Sequence, residues 1–172
     1  MENSISKLTL LKIRKLQKLN TRTKAFKQWQ EVKNVLLLVD RDFVDEKQVL
    51  EAEKLIQKQT TVFNLTKDKK NGDLEPVAFK TQFLFLQNIK GPGLEVLKNG
   101  HFDLALIYGK GELWALAMCS AMINADLVIG SDYRLADFAD LIIVSRNDSL
   151  PEFVLQTKKY LNTIKTAENG KK

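Results

Sequence analysis

From Ser4 to about Val32 no Gly or Pro interrupts a run rich in Leu, Lys, Arg, Gln and Ala, all adequate helix formers. The run predicts one long helix, with Asn20-Thr21 as the place where it would break. At 100° per residue Ile5, Leu8, Leu11, Leu16, Leu19, Phe26 and Trp29 share roughly 140° of arc, the width of a core-facing stripe. Lys12, Lys15 and Arg22 project into the same stripe, which leaves its first half loosely packed or waiting for a partner.

After that helix the pattern changes. Asn34-Val-Leu-Leu-Leu-Val-Asp40 is continuously apolar without alternation, as expected of a strand covered on both faces in a parallel sheet. Asp45 followed by Gln48 has the spacing of a helix cap, and Val49, Ala52, Leu55 and Ile56 recur at helical intervals up to Gln59. A strand is predicted over Thr61–Leu65, a charged surface loop over Thr66–Asp73, a strand over Ala78–Leu86, and a short helix around Leu94–Asn99 after Gly91-Pro-Gly93. The second half alternates more plainly: strand Phe102–Tyr108, helix Glu112–Asn124 apolar on nearly every side, strands Ala125–Ile129 and Ala139–Val144. A closing helix runs from Ser149, its cap, to about Thr166, with Pro151 in the first turn and Phe153, Thr157, Tyr160, Leu161 and Ile164 on one side.

Alternation of this kind predicts an α/β fold: a three-layer Rossmann-like domain with a mostly parallel sheet, preceded by a long basic N-terminal helix. The expected organisation is a basic helix over residues 1–33, the α/β domain over 34–166 and a frayed tail over 167–172. A chain of 172 residues can bury such a core without disulfides or metals, and its single cysteine, Cys119, allows no internal disulfide. A reducing cytoplasm is the expected location. The start, Met1-Glu-Asn-Ser-Ile, lacks the features of an export signal, and Leu113–Ile123 is far shorter than the ~20 apolar residues of a membrane span.

Charge adds what the pattern does not show. Residues 1–33 hold nine basic side chains against Glu2 and Glu31, a balance of +7, so the remainder carries −1 of the total +6. The positive charge therefore belongs to one segment, and such asymmetry points to a polyanionic partner.

Phe102-Asp-Leu with its apolar strand, Ala125-Asp-Leu-Val-Ile-Gly130, Ala139-Asp-Leu-Ile-Ile143 and a terminal helix with Gln156 and Tyr160-Leu161 resemble an uncharacterised Bacteroidetes family of short proteins, filed as a domain of unknown function. The basic helix leading into an apolar strand is similar too. More distantly, the segments around Phe102 and Ala125 resemble one Rossmann-like half of the heptosyltransferase type of glycosyltransferase. Those enzymes place a cleft between two halves and this chain has one, so the resemblance implies a fold and no activity.

Ligands of open parallel sheets bind beyond the carboxyl ends of the strands. That rule singles out Asp40, Asp42, Gly109, Lys110, Gly111, Ser131, Asp132 and Arg146 as a possible small-ligand or nucleotide-sugar pocket. The glycines of Tyr108-Gly-Lys-Gly-Glu112 could admit a phosphate to backbone N–H groups, but Trp114 replaces the third glycine of a dinucleotide fingerprint, and no Ser or Thr follows Gly-Lys. An ordinary tight turn is the simpler account. Asp40, Asp42, Glu112, Asp132 and Asp148 could converge as metal ligands or an acid–base pair, although turns and caps also call for Asp. His101 has no second histidine, Cys119 sits in an apolar helix, and no nucleophile elbow is present. No catalytic residue, metal or cofactor is expected.

The basic helix carries the stronger signal. Lys7, Lys12, Arg14, Lys15, Lys18, Arg22, Lys24 and Lys27 lie between Asn3 and Gln30 without one acid, whereas surface helices normally intersperse Glu for i, i+4 pairing. Three readings compete: RNA or a ribonucleoprotein such as the ribosome bound through phosphates, an anionic membrane surface, and a packed helix that happens to be basic. The first is the expected function, without catalysis.

Overall fold

The computed structural model describes residues 7–67, 76–80, 92–111 and 113–164. Its elements in chain order are α1 (Lys7–Leu19), β1 (Asn34–Asp40), α2 (Glu46–Ile56), β2 (Gln59–Thr66), β3 (Val77–Phe79), α3 (Pro92–Asn99), β4 (Phe102–Tyr108), α4 (Leu113–Met122), β5 (Ala125–Gly130), β6 (Leu141–Ile142) and α5 (Leu150–Thr163). The expected loop over 68–73, the strand residues 81–86, Ile5, Glu112 and the tail 167–172 lie outside the described residues.

Six strands form one parallel sheet in the order β3-β2-β1-β4-β5-β6. The chain starts in the middle, builds outward to β3, then returns to β4 and builds the other way. This is the doubly wound Rossmann-like order, whose direction reverses between β1 and β4. Val35 of β1 faces Leu104 of β4 in register, and Val39 faces Tyr108.

β1 explains its own unbroken hydrophobicity. Leu36 and Leu38 enter one core cluster with Leu94, Leu97, the residues of α4 and Ile13 of α1. Val35, Leu37 and Val39 enter a second cluster with α2, α5, Trp29 and Val32. Helices α1, α3 and α4 thus cover one face and α2 and α5 the other. The all-round apolar character of α4 has the same cause, since the sheet lies beneath it and α1 packs against it, and every residue of it but Trp114 is buried.

Caps form where the residues indicate them. The Asp45 carboxylate accepts the Gln48 backbone N–H at 2.8 Å. The Ser149 hydroxyl accepts that of Glu152 at 3.4 Å, with Pro151 in the first turn of α5.

The N-terminal helix differs from its expected form. It ends at Leu19, at the predicted break, and residues 20–28 continue without helical structure. The expected inward stripe also does not turn inward: Leu8, Leu11, Leu19 and Phe26 are exposed. Ile13 is fully buried instead, flanked by partly buried Leu10 and Leu16. The physical reason is the position of the cations. Burying the Leu8–Leu11–Leu19 side would take Lys12 and Lys15 out of water unpaired, whereas the Leu10–Ile13–Leu16 side carries no charge.

Phe153, fully buried on α5 with its ring 5.7 Å from that of Tyr108, tests this core. Phe153→Ala should cost about 3–5 kcal/mol in urea unfolding, while Leu155→Ala, on the same helix but 43% exposed, should change stability by less than about 0.5 kcal/mol.

Candidate polyanion interface

The eight candidate cations divide into two sets. Arg22, Lys24 and Lys27 lie on the segment that leaves α1 and passes the amino ends of the strands on its way to β1. Each meets an aspartate of the same chain. The Arg22 guanidinium reaches Asp140 at 2.7 Å and donates to the Ala125 carbonyl at 3.1 Å, and Lys24 reaches Asp140 at 2.8 Å. Lys27 bridges Asp103 at 2.5 Å and Asp126 at 2.7 Å. The Ala25 N–H donates to the Asp126 carbonyl at 3.0 Å, and Trp29 and Val32 then bury in the core on the opposite face of the sheet. Residues 20–33 are therefore a strap that wraps the sheet's amino edge.

The strap's partners escaped the sequence reading although their signal is plain in hindsight. Phe102-Asp-Leu, Ala125-Asp-Leu and Ala139-Asp-Leu repeat one arrangement, an aspartate at the start of a strand, three times. Burial pushes the Asp103 carboxyl up, but Lys27 and the N–H groups of Lys33 and Asn34 more than offset this and hold it below its ordinary 3.8. Asp140 behaves alike, with burial opposed by Arg22, Lys24 and the Val128 N–H.

Lys7, Lys12, Arg14, Lys15 and Lys18 form the second set. All lie on α1, whose 13 residues include no acid, and none pairs with a carboxylate among the described residues. Facing away from α4, they share their side of the helix with the exposed Leu8, Leu11 and Leu19. Partial burial, and after it the neighbouring Lys15, push the Lys12 ammonium below its usual range.

At the carboxyl ends of the strands, where the sheet order reverses, Asp40 and Asp42 do come together, around a cation the sequence reading did not include. Lys80, 1% exposed, reaches both oxygens of Asp40 at 2.7 Å and Asp42 at 2.8 Å. The Thr66 hydroxyl and the Lys67 N–H also donate to Asp42, each at 3.0 Å. Burial raises the Asp40 carboxyl despite Lys80; Asp42, less deeply placed, is held low by Lys80, Lys67 and Thr66. The Phe43 ring lies 5.5 Å from the Lys80 ammonium.

Gly109 and Gly111 are small because this cluster crowds them. A Cβ on Gly109 would stand 2.7 Å from the Asp40 Cβ, and one on Gly111 would stand 2.2 Å from the Phe43 ring. The space beneath the glycine turn is filled by the protein's own side chains. Lys110 pairs with Asp148 at 2.6 Å, and Asp132 with Arg134, whose guanidinium also reaches the Lys110 carbonyl at 3.4 Å. Ser131 donates its N–H to the Ile107 carbonyl, and Arg146 is exposed in the turn before α5. These candidates stand around the strand ends, several of them held by contacts of their own.

His101 is exposed, with Nε2 3.4 Å from Asp126, and the Cys119 thiol is pushed up by complete burial. Tyr108 is likewise raised, to about 12, by burial and then by Asp148. Among the described residues no three His, Cys, Asp or Glu side chains are grouped to hold a metal ion. No helix of theirs is long and apolar enough to cross a membrane.

Over residues 6–164 the chain matches the model of a family of unknown function (DUF6913), and it belongs to that family. No curated protein and no solved structure matches it.

Two predictions follow from the ion pairs. Lys80→Ala strands the buried Asp40 carboxylate beside a second one, Asp42, and should cost about 3–5 kcal/mol in urea unfolding at pH 7. Because Asp103 and Asp140 titrate below 3.8 in the fold, the strap's stabilisation is complete above that pH and is lost as pH falls through the folded values. The Asp103→Asn/Asp140→Asn protein should melt below wild type at pH 7, and the gap in Tm should narrow below about pH 4.

Proposed function

We propose that this member of the family acts by contact rather than catalysis, and that the outward face of α1 is a polyanion-binding surface whose partner is RNA, free or within a ribonucleoprotein such as the ribosome. One observation carries the reading. Arg22, Lys24 and Lys27 of the strap are each matched by an aspartate, while the five cations of α1 have no carboxylate partner among the described residues, so the fold neutralises most of one basic segment and leaves the adjacent one charged. Unpaired like charges along about 20 Å of helix repel one another, and a phosphate backbone relieves that repulsion while releasing its counterions. Such contacts fix position without reading bases. An RNA partner would place the protein in the cytoplasm.

A second reading rests on Leu8, Leu11 and Leu19, exposed among the cations. A helix with leucines and lysines on one side can lie in the headgroup layer of an anionic membrane, the leucines inserted and the lysines reaching outward. Lys15, set between Leu8, Leu11 and Leu19 on the helix surface, counts against deep insertion. A small-ligand role at the strand ends has less support, because Phe43, Asp40 and Lys80 occupy the reversal point of the sheet.

Fluorescence anisotropy with labelled RNA across a salt series tests the proposal. If all five cations meet phosphates, log K should fall against log salt with a slope of about −3.5 for single strands. Changing Lys12, Arg14, Lys15 and Lys18 together to Glu should abolish binding, and binding that survives this change would overturn the proposal. Co-sedimentation with anionic vesicles, lost when Leu8, Leu11 and Leu19 become Ser and accompanied by no RNA binding, would establish the membrane reading instead.

A further inference from the structure

Beside the carboxyl end of α1, a cavity of about 220 Å³ opens between Gln17, Asn20, Arg22, Lys24, Ser120 and Phe138. It lies where α1 gives way to the strap, next to the end of α4 and the turn before β6. Which of its polar groups are already committed decides what it can hold. The Gln17 amide donates to the Asp137 carbonyl at 3.0 Å, and the Asn20 amide donates to the carbonyls of Ala121 at 3.2 Å and Ile123 at 2.6 Å. Both N–H groups of Asn20 and one of Gln17 are spent, and the two side-chain oxygens carry no donor among the described residues. The Ser120 hydroxyl donates to the Phe138 carbonyl at 2.6 Å. Arg22 is held by Asp140 and the Ala125 carbonyl, whereas Lys24, 64% exposed, gives only one contact to Asp140.

The cavity therefore offers two amide oxygens with no donor among the described residues, a second N–H of Gln17, the Lys24 ammonium, whose contact with Asp140 leaves it further N–H donors, and a phenyl ring. A simple anion does not suit this set. It would meet Lys24 but also the two amide oxygens and the carboxyl ends of α1 and α4, whose dipoles disfavour negative charge. A ligand that suits it brings N–H donors on a flat ring together with a negative group: a nucleobase whose N–H edge meets Gln17 and Asn20 while its phosphate meets Lys24. The volume is adequate, since a cavity of about 150 Å³ holds a benzene ring.

We infer that the cavity takes one unpaired nucleotide of an RNA strand whose neighbouring phosphates lie along α1. The inference rests on the polyanion reading of α1 and narrows its partner to single-stranded RNA, because a duplex keeps its bases stacked and paired. A free mononucleotide shares the chemistry of the ligand but lacks the flanking phosphates.

Anisotropy with the full chain and three labelled RNA 12-mers separates these cases: a mixed-sequence single strand, its duplex, and a ribose-phosphate strand with abasic positions throughout. The single strand should bind at least about tenfold more tightly than either of the others, a difference of about 1.4 kcal/mol. Gln17→Ala/Lys24→Ala should close that gap; both side chains reach the surface, and the variant's Tm verifies its fold. Lys24→Gln alone should close part of it. Equal binding of all three RNAs overturns the cavity assignment while leaving the α1 reading intact. Loss of the single-strand preference in the Gln17/Lys24 variant, with binding unaffected by the four Glu substitutions on α1, overturns the α1 reading and retains the cavity. Thermal stabilisation by AMP or CMP without binding of any 12-mer overturns the assignment to RNA.

Discussion

A carboxylate at the rim of a core must find a cation or remain exposed to water, and three such groups at the amino ends of neighbouring strands organise this protein. Asp103 and Asp126 share Lys27, and Asp140 receives Arg22 and Lys24. That pairing draws residues 20–33 around the edge of the sheet, delivers Trp29 and Val32 to the α2/α5 face, and sets the direction in which the chain enters β1. It also fixes where α1 must lie. With its carboxyl end tied to the strap and to the last carbonyls of α4 through Asn20, α1 covers a helix that would otherwise expose apolar surface.

Docking of this kind makes α1 two-sided. Its uncharged ridge packs inward, and the ridge carrying Lys12 and Lys15 stays in water with three leucines. Neutralisation of the strap and its absence on α1 are consequences of one geometry: the aspartates stand at strand ends, within reach of an extended segment but not of a helix on the far side of α4. The cations of α1 are those that remain after the fold has used the ones it needs.

The opposite edge of the sheet follows another logic. In doubly wound folds the reversal between β1 and β4 commonly opens a crevice for a ligand. Here Asp40 and Asp42 close around Lys80, Phe43 covers the amine, and the glycine turn after β4 packs down on them. Buried ion clusters add little net stability but penalise alternatives that separate their members. Lys80 ties the residue after the edge strand β3 to the carboxyl end of the central strand β1, holding that side of the sheet in a single arrangement.

Much of the architecture was legible in local patterns, because those patterns reflect local physics. The unbroken apolar run of β1 needs two covered faces, the caps at Asp45 and Ser149 need only residues three positions on, and the strand–helix alternation compels a parallel sheet. The all-round apolar α4 even announced that something had to cover it. Contacts between residues distant in sequence were not legible. Lys27 is separated from Asp103 by 76 positions, Arg22 from Asp140 by 118 and Lys80 from Asp40 by 40. Nothing near Lys80 marks it as buried, and nothing near Lys27 marks it as already paired. By itself the sequence determined the elements, the parallel sheet and the location of the positive charge. Only the tertiary structure decided which cations the fold pairs and which it leaves without a carboxylate among the described residues, since charge pairing is settled by distance in space, and that is set only when the strap has closed around the sheet.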